Sequence, residues 1–428
     1  MKSEKQALVP QLRFPEFRDV GEWEVVPLGE KVDLLSGFPF KSADISDNSD
    51  GIPLMRGINI TEGFIRHTLD IDRYFLGDDK PLEKYKLQES DLVIGMDGSK
   101  VGKNSALITE DDAGSLLIQR VARLRAKCEA TIRYIFQHIH SSKFHSYVDR
   151  INTSGGIPHI SAKQINEFEI CFPPVQKEQQ KIADCLSSLD ALIAAQADKI
   201  DALKTHKKGL MQQLFPCEGE TVPRLRFPEF REAGEWIKIK LRDLGKLIPG
   251  LTYSPEDVLE EGLLVLRSSN VQDGNVVLND NVFVTPDIKG ANLSKPGDIL
   301  ICVRNGSKPL IGKNALIPKG LPSCTHGAFM TVFRSKHPEF TYQLFQTASY
   351  KKQVAADLGA TINSINGNNL KKYEFLIPKS EVEQQKIADC LSSVDALIAA
   401  QTEKLEALKV HKKGLMQQLF PSSVAVEL

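Results

Sequence analysis

The sequence predicts an α+β protein in which two globular mixed α/β domains alternate with two long helical regions. The helices are expected to pair as an antiparallel coiled coil, giving the chain a pseudo-two-fold internal repeat. Three observations predict this. HKKGLMQQLFP, His206 to Pro216, recurs unchanged as His411 to Pro421, and KIADCLSSLDALIAAQ (181–196) returns as KIADCLSSVDALIAAQ (386–401) at the same offset of 205, with Leu189 replaced by Val394. LRFPEFRDVGEW (12–23) returns as LRFPEFREAGEW (225–236) at an offset of 213. The stretches between these strings diverge. Repetition at a fixed long period marks a duplicated architectural unit, here an opening motif, a variable middle and a nearly invariant tail. The boundaries read as 1–173 for the first domain, 174–216 for the first helical spacer, 217–378 for the second domain, and 379–428 for the second spacer with the C-terminal tail.

The tail is read most directly. Apolar positions alternate at spacings of four and three through Ile182, Leu186, Leu189, Ile193, Gln196, Ile200, Leu203, Lys207, Leu210 and Leu214. Each has a counterpart 205 residues on: Ile387, Leu391, Val394, Ile398, Gln401, Leu405, Leu408, Lys412, Leu415 and Leu419. That spacing is a heptad seam, and the polar Gln196, Gln401, Lys207 and Lys412 on it suit a role in fixing register. Pro173, Pro174 and Pro378 stand before the runs and Pro216 and Pro421 stop them, as helix punctuation does. The sequence leaves two alternatives open, a continuous helix or a break at the Ser-Ser-Leu/Val-Asp step with Asp190 and Asp395 as caps of a second helix. From there to the proline a rod of about 37 Å follows at 1.5 Å per residue. Ala191, Ala194, Ala195 and Ala197, with Gln179, Gln180, Gln212 and Gln213, are expected to give the rod a small-residue and uncharged polar surface.

The middles share a plan despite their divergence. GIPLMRGINI and GLLVLRSSNV read as strands with turn residues between them. Acid-led apolar strands then run into glycine loops, DLVIGMDGSKVGKNSALI at 91–108 and DILICVRNGSKPLIGKNALI at 298–317. Helix-like stretches follow near 131–149 and 339–357, and exit strands NEFEICFPP and KKYEFLIP lead into the tails. Strands and helices mixed in this way give the α+β class.

Composition narrows the function. The chain has 428 residues, 41% of them hydrophobic, and no apolar run near the roughly 18 residues of a membrane span. The start, MKSEKQALVPQLRF, lacks a signal-peptide stretch. Seven cysteines without a CxxC pair argue against a disulfide scaffold or a zinc site, so no metal ligands are expected. GSKVGKN and GSKPLIGKN place three and five residues between glycines where a P-loop needs four, and Asn follows the lysine where Ser or Thr should. FPPV at 172–175 lacks the polar and aromatic ends of an amino-methyltransferase motif, Asp287-Ile-Lys289 occurs in one copy only, and the nine histidines do not cluster. No catalytic residues and no bound cofactor are therefore expected.

Two divergent domains between repeated helical regions, with LRFPEF…W, GSK…GKN and P…EQQKIA…LD, resemble the DNA specificity subunit of type I restriction-modification systems over nearly the whole chain. The resemblance implies a cytoplasmic, non-catalytic subunit acting in host defence and DNA methylation. It would read a bipartite, asymmetric site in double-stranded DNA with one target recognition domain per half. Two methyltransferase subunits and the restriction/translocase subunits would dock on it, and S-adenosylmethionine, ATP and Mg2+ would belong to those partners. The helical spacer would then act as a ruler of about one turn of B-DNA.

Candidate DNA contacts fall in two groups. The shared loop residues Ser99, Lys100, Lys103 and Asn104, with Ser307, Lys308, Lys313 and Asn314, combine short donors and cations beside glycine and suit phosphate. Arg56, Asn59, Arg267 and Asn270 have side chains able to bond base edges, as do the divergent Gln119, Arg120, Arg304, Asn305 and His326. Identical residues cannot by themselves make two domains read different sequences. Net charge is −4 over 24–173 and +5 over 237–378, so the first domain is expected to rely on a basic patch such as QRVARLRAK (119–127) or on partners to neutralise phosphate. The rival reading is a duplicated, non-catalytic coiled-coil scaffold whose variable domains bind proteins.

Overall fold

The computed structural model describes residues 8–127, 130–152, 157–358 and 363–421. It divides into two compact units, Met1–Gln196 with Lys404–Leu428, and Ala197–Glu403.

In the first unit, β1 (Glu24–Pro27), α1 (Leu28–Lys31), β2 (Val32–Ser36), β3 (Ile52–Met55), β4 (Tyr74–Phe75), β5 (Leu92–Gly95), β6 (Ser105–Leu107), β7 (Leu116–Leu117) and β8 (Val121–Ala126) precede the helices α2 (Ile132–Ile139), α3 (Ser142–Ile151) and α4 (Ala162–Glu167). Strand β9 (Glu169–Phe172) then leads into α5 (Gln176–Leu214). Strands order β2-β8-β5-β6 in an antiparallel sheet and β4-β3-β7 in a smaller one whose β3 and β7 are parallel; β1 pairs with β9. Strand β5 reads as a continuous apolar run because both of its faces are covered. Leu92 and Ile94 join the core formed with Tyr134, Ile135, Phe144 and Ile182, while Val93 faces a second core with Leu54, Met55 and Leu116.

The second unit repeats this plan. Its elements are β10 (Ile237–Lys240), α6 (Leu241–Leu244), β11 (Gly245–Pro249), β12 (Val258–Leu259), β13 (Leu263–Leu266), β14 (Val271–Gln272), β15 (Asn275–Val276), β16 (Val282–Val284), β17 (Ile299–Cys302), β18 (Asn314–Leu316), β19 (Cys324–His326) and β20 (Met330–Ser335). Helices α7 (Pro338–Leu344), α8 (Ala348–Leu358) and α9 (Gly367–Leu370), strand β21 (Glu374–Ile377) and helix α10 (Glu381–Leu419) complete it. The sheet β11-β20-β17-β18 matches β2-β8-β5-β6, β12-β16-β13-β19 matches and extends β4-β3-β7, and β10 pairs with β21. The predicted strands thus appear in both middles. Each helix-like stretch is two helices instead of one: Ser141 accepts from Phe144 N to start α3, and Thr347 Oγ1 does the same for Tyr350 N in α8.

The GKN glycines have a packing reason. Gly102 (φ 69°) and Gly312 (φ 85°) sit in the left-handed region, and a Cβ would lie 2.8 Å from Val148 or 2.9 Å from Val354.

Helices α5 and α10 are each 39 residues, about 58 Å at 1.5 Å per residue, and neither breaks. Asp190 and Asp395 lie within them and take the seam lysines instead of capping: Lys412 Nζ donates to Asp190 at 2.5 Å in the first unit, and Lys207 Nζ to Asp395 at 2.6 Å in the second. An ion pair on the helix flank satisfies these carboxylates, so no N-cap is needed. Every seam position is buried or half-buried. Gln179 is not on the rod surface: it is 1% exposed, accepts from Thr131 N at 3.0 Å and donates to Pro173 O.

The duplicated strings meet one another within each unit. In the first, Arg13 of LRFPEF donates to Glu178 through Nε (2.7 Å) and Nη2 (2.8 Å), and Leu12 N donates to Gln418 O at 3.0 Å. In the second, Arg226 pairs with Glu383 (2.7 and 2.9 Å), and Leu225 N donates to Gln213 O at 2.9 Å. The opening motif therefore fastens the first turn of one long helix and the last turn of the other. Leu419 joins the first core and Leu214 and Phe215 the second.

The first core also holds a buried imidazole. His138 packs 4.2 Å from the Phe420 ring, its Nε2 is 3.1 Å from Cys171 O, and burial, with Lys143 adding to it, pushes its pKa down to about 3. The unfolded chain takes up this proton near 6.5 and the folded one does not, so the contribution to stability is fully present above pH 6.5 and is lost progressively below it. His138→Gln is expected to flatten the fall of the urea midpoint of the first unit between pH 7 and 5; equal slopes in the two proteins would contradict this.

Candidate nucleic-acid interface

Local folding decides which of the candidate side chains remain presented. In R-x-x-N, the asparagine closes a turn: Asn59 Oδ1 accepts from Arg56 N (3.3 Å) and its Nδ2 reaches Asp72 (2.8 Å), while Asn270 Oδ1 accepts from Arg267 N (2.8 Å) and its Nδ2 reaches Val277 O (2.9 Å). Both are buried, at 2% and 0% exposure. Their amides are used up inside the domains, on backbone groups and, for Asn59, also on the Asp72 carboxylate, which places them away from a base edge. Arg56 is half-buried with Nη1 on Ile71 O at 2.8 Å, and Arg267 is held by Asp280 at 2.7 Å.

Gln119 spans the backbone of Phe40, accepting from its N at 3.0 Å and donating to its O. His326 is buried in β19 between Ile248 O (3.0 Å) and Ser294 Oγ (3.1 Å), and burial lowers its pKa. Asn314 is buried, donating to Gly312 O and accepting from Gln346. These three serve the fold. The basic patch at 119–127 is likewise taken up internally: Arg123 pairs with Asp33, Arg125 makes two bonds to Asp91 (2.7 and 2.8 Å), and Lys127 donates to Gly29 O. Asp91 also accepts from Gln88 N at 2.8 Å. Arg334 and Asp298 repeat the arrangement at 2.7 Å, with Lys295 N on the same carboxylate, which explains why both strands begin with an acid.

What remains at the surface are the glycine loops. Ser99, Lys100, Ser307 and Lys308 are exposed, and Asn104, Lys103 and Lys313 are half-buried. Lys100 reaches Glu62 at 3.0 Å, Lys103 reaches Asp149 at 3.1 Å, and Lys313 Nζ donates to Val271 O at 3.3 Å. Next to each loop lies a divergent position. Arg120 is exposed, with φ 68° and Nη1 on Asp97 at 2.9 Å. Arg304 is exposed with its guanidinium 5.8 Å over the ring of Phe329, and Asn305 bonds Ser268 Oγ at 3.1 Å and accepts from Ser307 N. Arg304, Asn305, Gly306, Phe329, Asn363 and Ser364 line an open cleft of about 340 Å³. Asp97 and Phe329 were not legible as site residues in the sequence; the only signal was a bulky apolar residue in HGAFMTVF.

The type I restriction modification DNA specificity domain model matches residues 21–205 and again 233–410. The chain belongs to that family. Within it, the sequence is 25% identical over 97% of this chain to the type I restriction enzyme MjaVIII specificity subunit of Methanocaldococcus jannaschii, covering 95% of that protein. The fold of this specificity-family chain is similar to that of the type I restriction-modification S subunit from M. genitalium, with a TM-score of 0.63 at 16% identity over 97% of this chain and 100% of the other. A chain from a structure described as the basis of complex assembly and conformational transition of the type I R-M system matches with a TM-score of 0.51 at 16% identity, over 94% and 98% of the two chains. No helix among the described residues is long and apolar enough to cross a membrane.

Proposed function

We propose that this chain is the sequence-specific DNA-binding subunit of a type I restriction-modification complex, in which each domain reads one half of a bipartite, asymmetric site. The observation that carries the reading is that two matches to the specificity-domain family fall on two domains of one sheet plan, and that these domains differ at equivalent loop positions. Equal scaffolds with unequal tips suit two readers of different sequence. The subunit is non-catalytic and cytoplasmic, and it docks two methyltransferase subunits together with restriction/translocase subunits, which hold S-adenosylmethionine, ATP and Mg2+. The seam positions of α5 and α10 pair as an antiparallel coiled coil with pseudo-two-fold symmetry. Supporting this, Lys412 reaches Asp190 while Leu415 and Leu419 pack beyond it toward Ile182 and Leu186, and Lys207 with Leu210 and Leu214 does the same against Asp395, Leu391 and Ile387. Ser99, Lys100, Lys103, Ser307, Lys308 and Lys313 contact phosphate, positioning the domains without reading sequence.

The acidic balance of the first domain and the internal pairing of its arginines make the partners part of the binding surface. The full chain alone is expected to bind a duplex carrying its site weakly, and the complex with its methyltransferase subunits to bind the same duplex tightly, with an affinity that falls steeply with salt. Fluorescence anisotropy over a salt series measures both. A complex that binds scrambled duplexes as tightly as its own site would contradict the assignment.

A further inference from the structure

Among the described residues, both domains form an equivalent bracket between the end of a central strand and the start of its neighbour, built from the same backbone bonds but unlike side chains. In the first, Met96 N donates to Arg120 O at 2.9 Å and Asp97 bridges His159 antiparallel; in the second, Val303 N donates to Phe329 O at 3.0 Å and Arg304 bridges Ser364. Asp97 therefore corresponds to Arg304 and Arg120 to Phe329. The first bracket holds its arginine by a carboxylate, since Asp97 lies 2.9 Å from Arg120. The second holds its arginine by a ring: Arg304 lies over Phe329, which is 59% exposed, and no carboxylate pairs with Arg304 among the described residues. A guanidinium on an aromatic face keeps its planar donor fork pointing outward, and that fork matches O6 and N7 of guanine.

We propose that Arg304, stacked on Phe329 in the cleft with Asn305, Asn363 and Ser364, reads a guanine in the half-site of the second domain, and that the Asp97–Arg120 pair occupies the corresponding reading position of the first. The proposal rests on the specificity-subunit reading and adds the base and the residues that select it. The two brackets share a scaffold position, so they address the same step of each half-site; they differ in chemistry, so they need not select the same base. The Arg304 cleft is open, solvent-facing and lined by polar groups and one ring, which suits a base edge in a groove better than a buried small molecule.

The test is selection from a duplex library randomised over both half-sites by the full chain in complex with its methyltransferase subunits. Wild type should select guanine at one position of the second half-site. Arg304→Ala should lower that preference by roughly 5- to 150-fold and leave every position of the first half-site unchanged; Phe329→Ala should weaken the same position and no other. Arg304→Lys, which keeps the charge but not the fork, should fail to restore the preference. A uniform loss of affinity with an unchanged selected sequence would make Arg304 a phosphate contact and overturn the proposal, as would full discrimination by the lysine variant. A wild-type complex that selects no two-part sequence would instead overturn the underlying functional reading, so the two failures are separable.

Discussion

Glu383→Ala is expected to destabilise the second unit by about 3–5 kcal/mol, the cost of stranding a buried charge. Arg226 and Glu383 are 9% and 1% exposed, and the carboxylate accepts from both Nε and Nη2 of the guanidinium. With the carboxylate gone, Gly234 O, at 2.7 Å, is what Arg226 keeps among the described residues as compensation for a desolvated cation. Against a domain stability of about 5–15 kcal/mol, this loss is large enough to leave the unit partly unfolded at physiological temperature. Glu178→Ala should act in the same way on the first unit through Arg13. Urea denaturation followed by hydrogen exchange of each unit measures the effect. The double variant Arg226→Met/Glu383→Leu, which removes both charges and keeps apolar volume, should recover most of the loss; a double variant as unstable as the single one would show that the ion pair is not the source.

Phe215→Ala should cost about 3–5 kcal/mol, the range for emptying an aromatic site in a core, and the loss should fall on the second unit. Phe215 follows α5 in the chain, yet its ring is stacked 6.1 Å from Phe340 and edge-on to Trp236 at 6.0 Å, within the core that includes Phe333 and Phe375. Leu419→Ala should mirror it, because Leu419 is 2% exposed in the core with Trp23 and Tyr134; a cost of about 2–5 kcal/mol is expected there. Peptide-level hydrogen exchange resolves the two outcomes. Loss of protection in β10, β21 and α7 for the first variant, and in β1, β9 and α2 for the second, is the expected pattern. Loss confined to the domain that precedes each tail in sequence would contradict it.

These tails show why part of the molecule was legible and part was not. The long helices over Ile182 to Leu214 and its copy follow from apolar spacings of three and four, a purely local pattern. The strands β5 and β17 followed from apolar runs with an acid at their head. What those acids do depends on partners far along the chain, Asp91 on Arg125 and Asp298 on Arg334, and no local pattern reports such a pairing. QRVARLRAK therefore reads as a cationic patch in sequence, whereas in space Arg123 and Arg125 are neutralised by Asp33 and Asp91 and Arg120 stays exposed. Asn59 and Asn270 carry the right groups for a base edge, but the turn three residues after an arginine consumes them. The correspondence of Arg120 with Phe329 was hidden because the stretch that follows GKN is one residue shorter in the second domain, 15 positions from Asn314 to Phe329 against 16 from Asn104 to Arg120, so it emerges only from equivalent backbone hydrogen bonds. Whether the helices run through Asp190 and Asp395 was open in sequence, because Asp is a good N-cap; in the continuous helices both carboxylates pair with Lys412 and Lys207 instead.

Each domain is proposed to specify one half of the recognised DNA, so exchange of residues 24–173 for the corresponding middle of another family member should change that half alone. The exchanged chain, expressed with its methyltransferase subunits, should methylate sites in which one half-site has changed and the other is retained, as read by methylome sequencing. An unchanged methylation pattern, or a pattern altered in both halves at once, would contradict that division of the site between the domains.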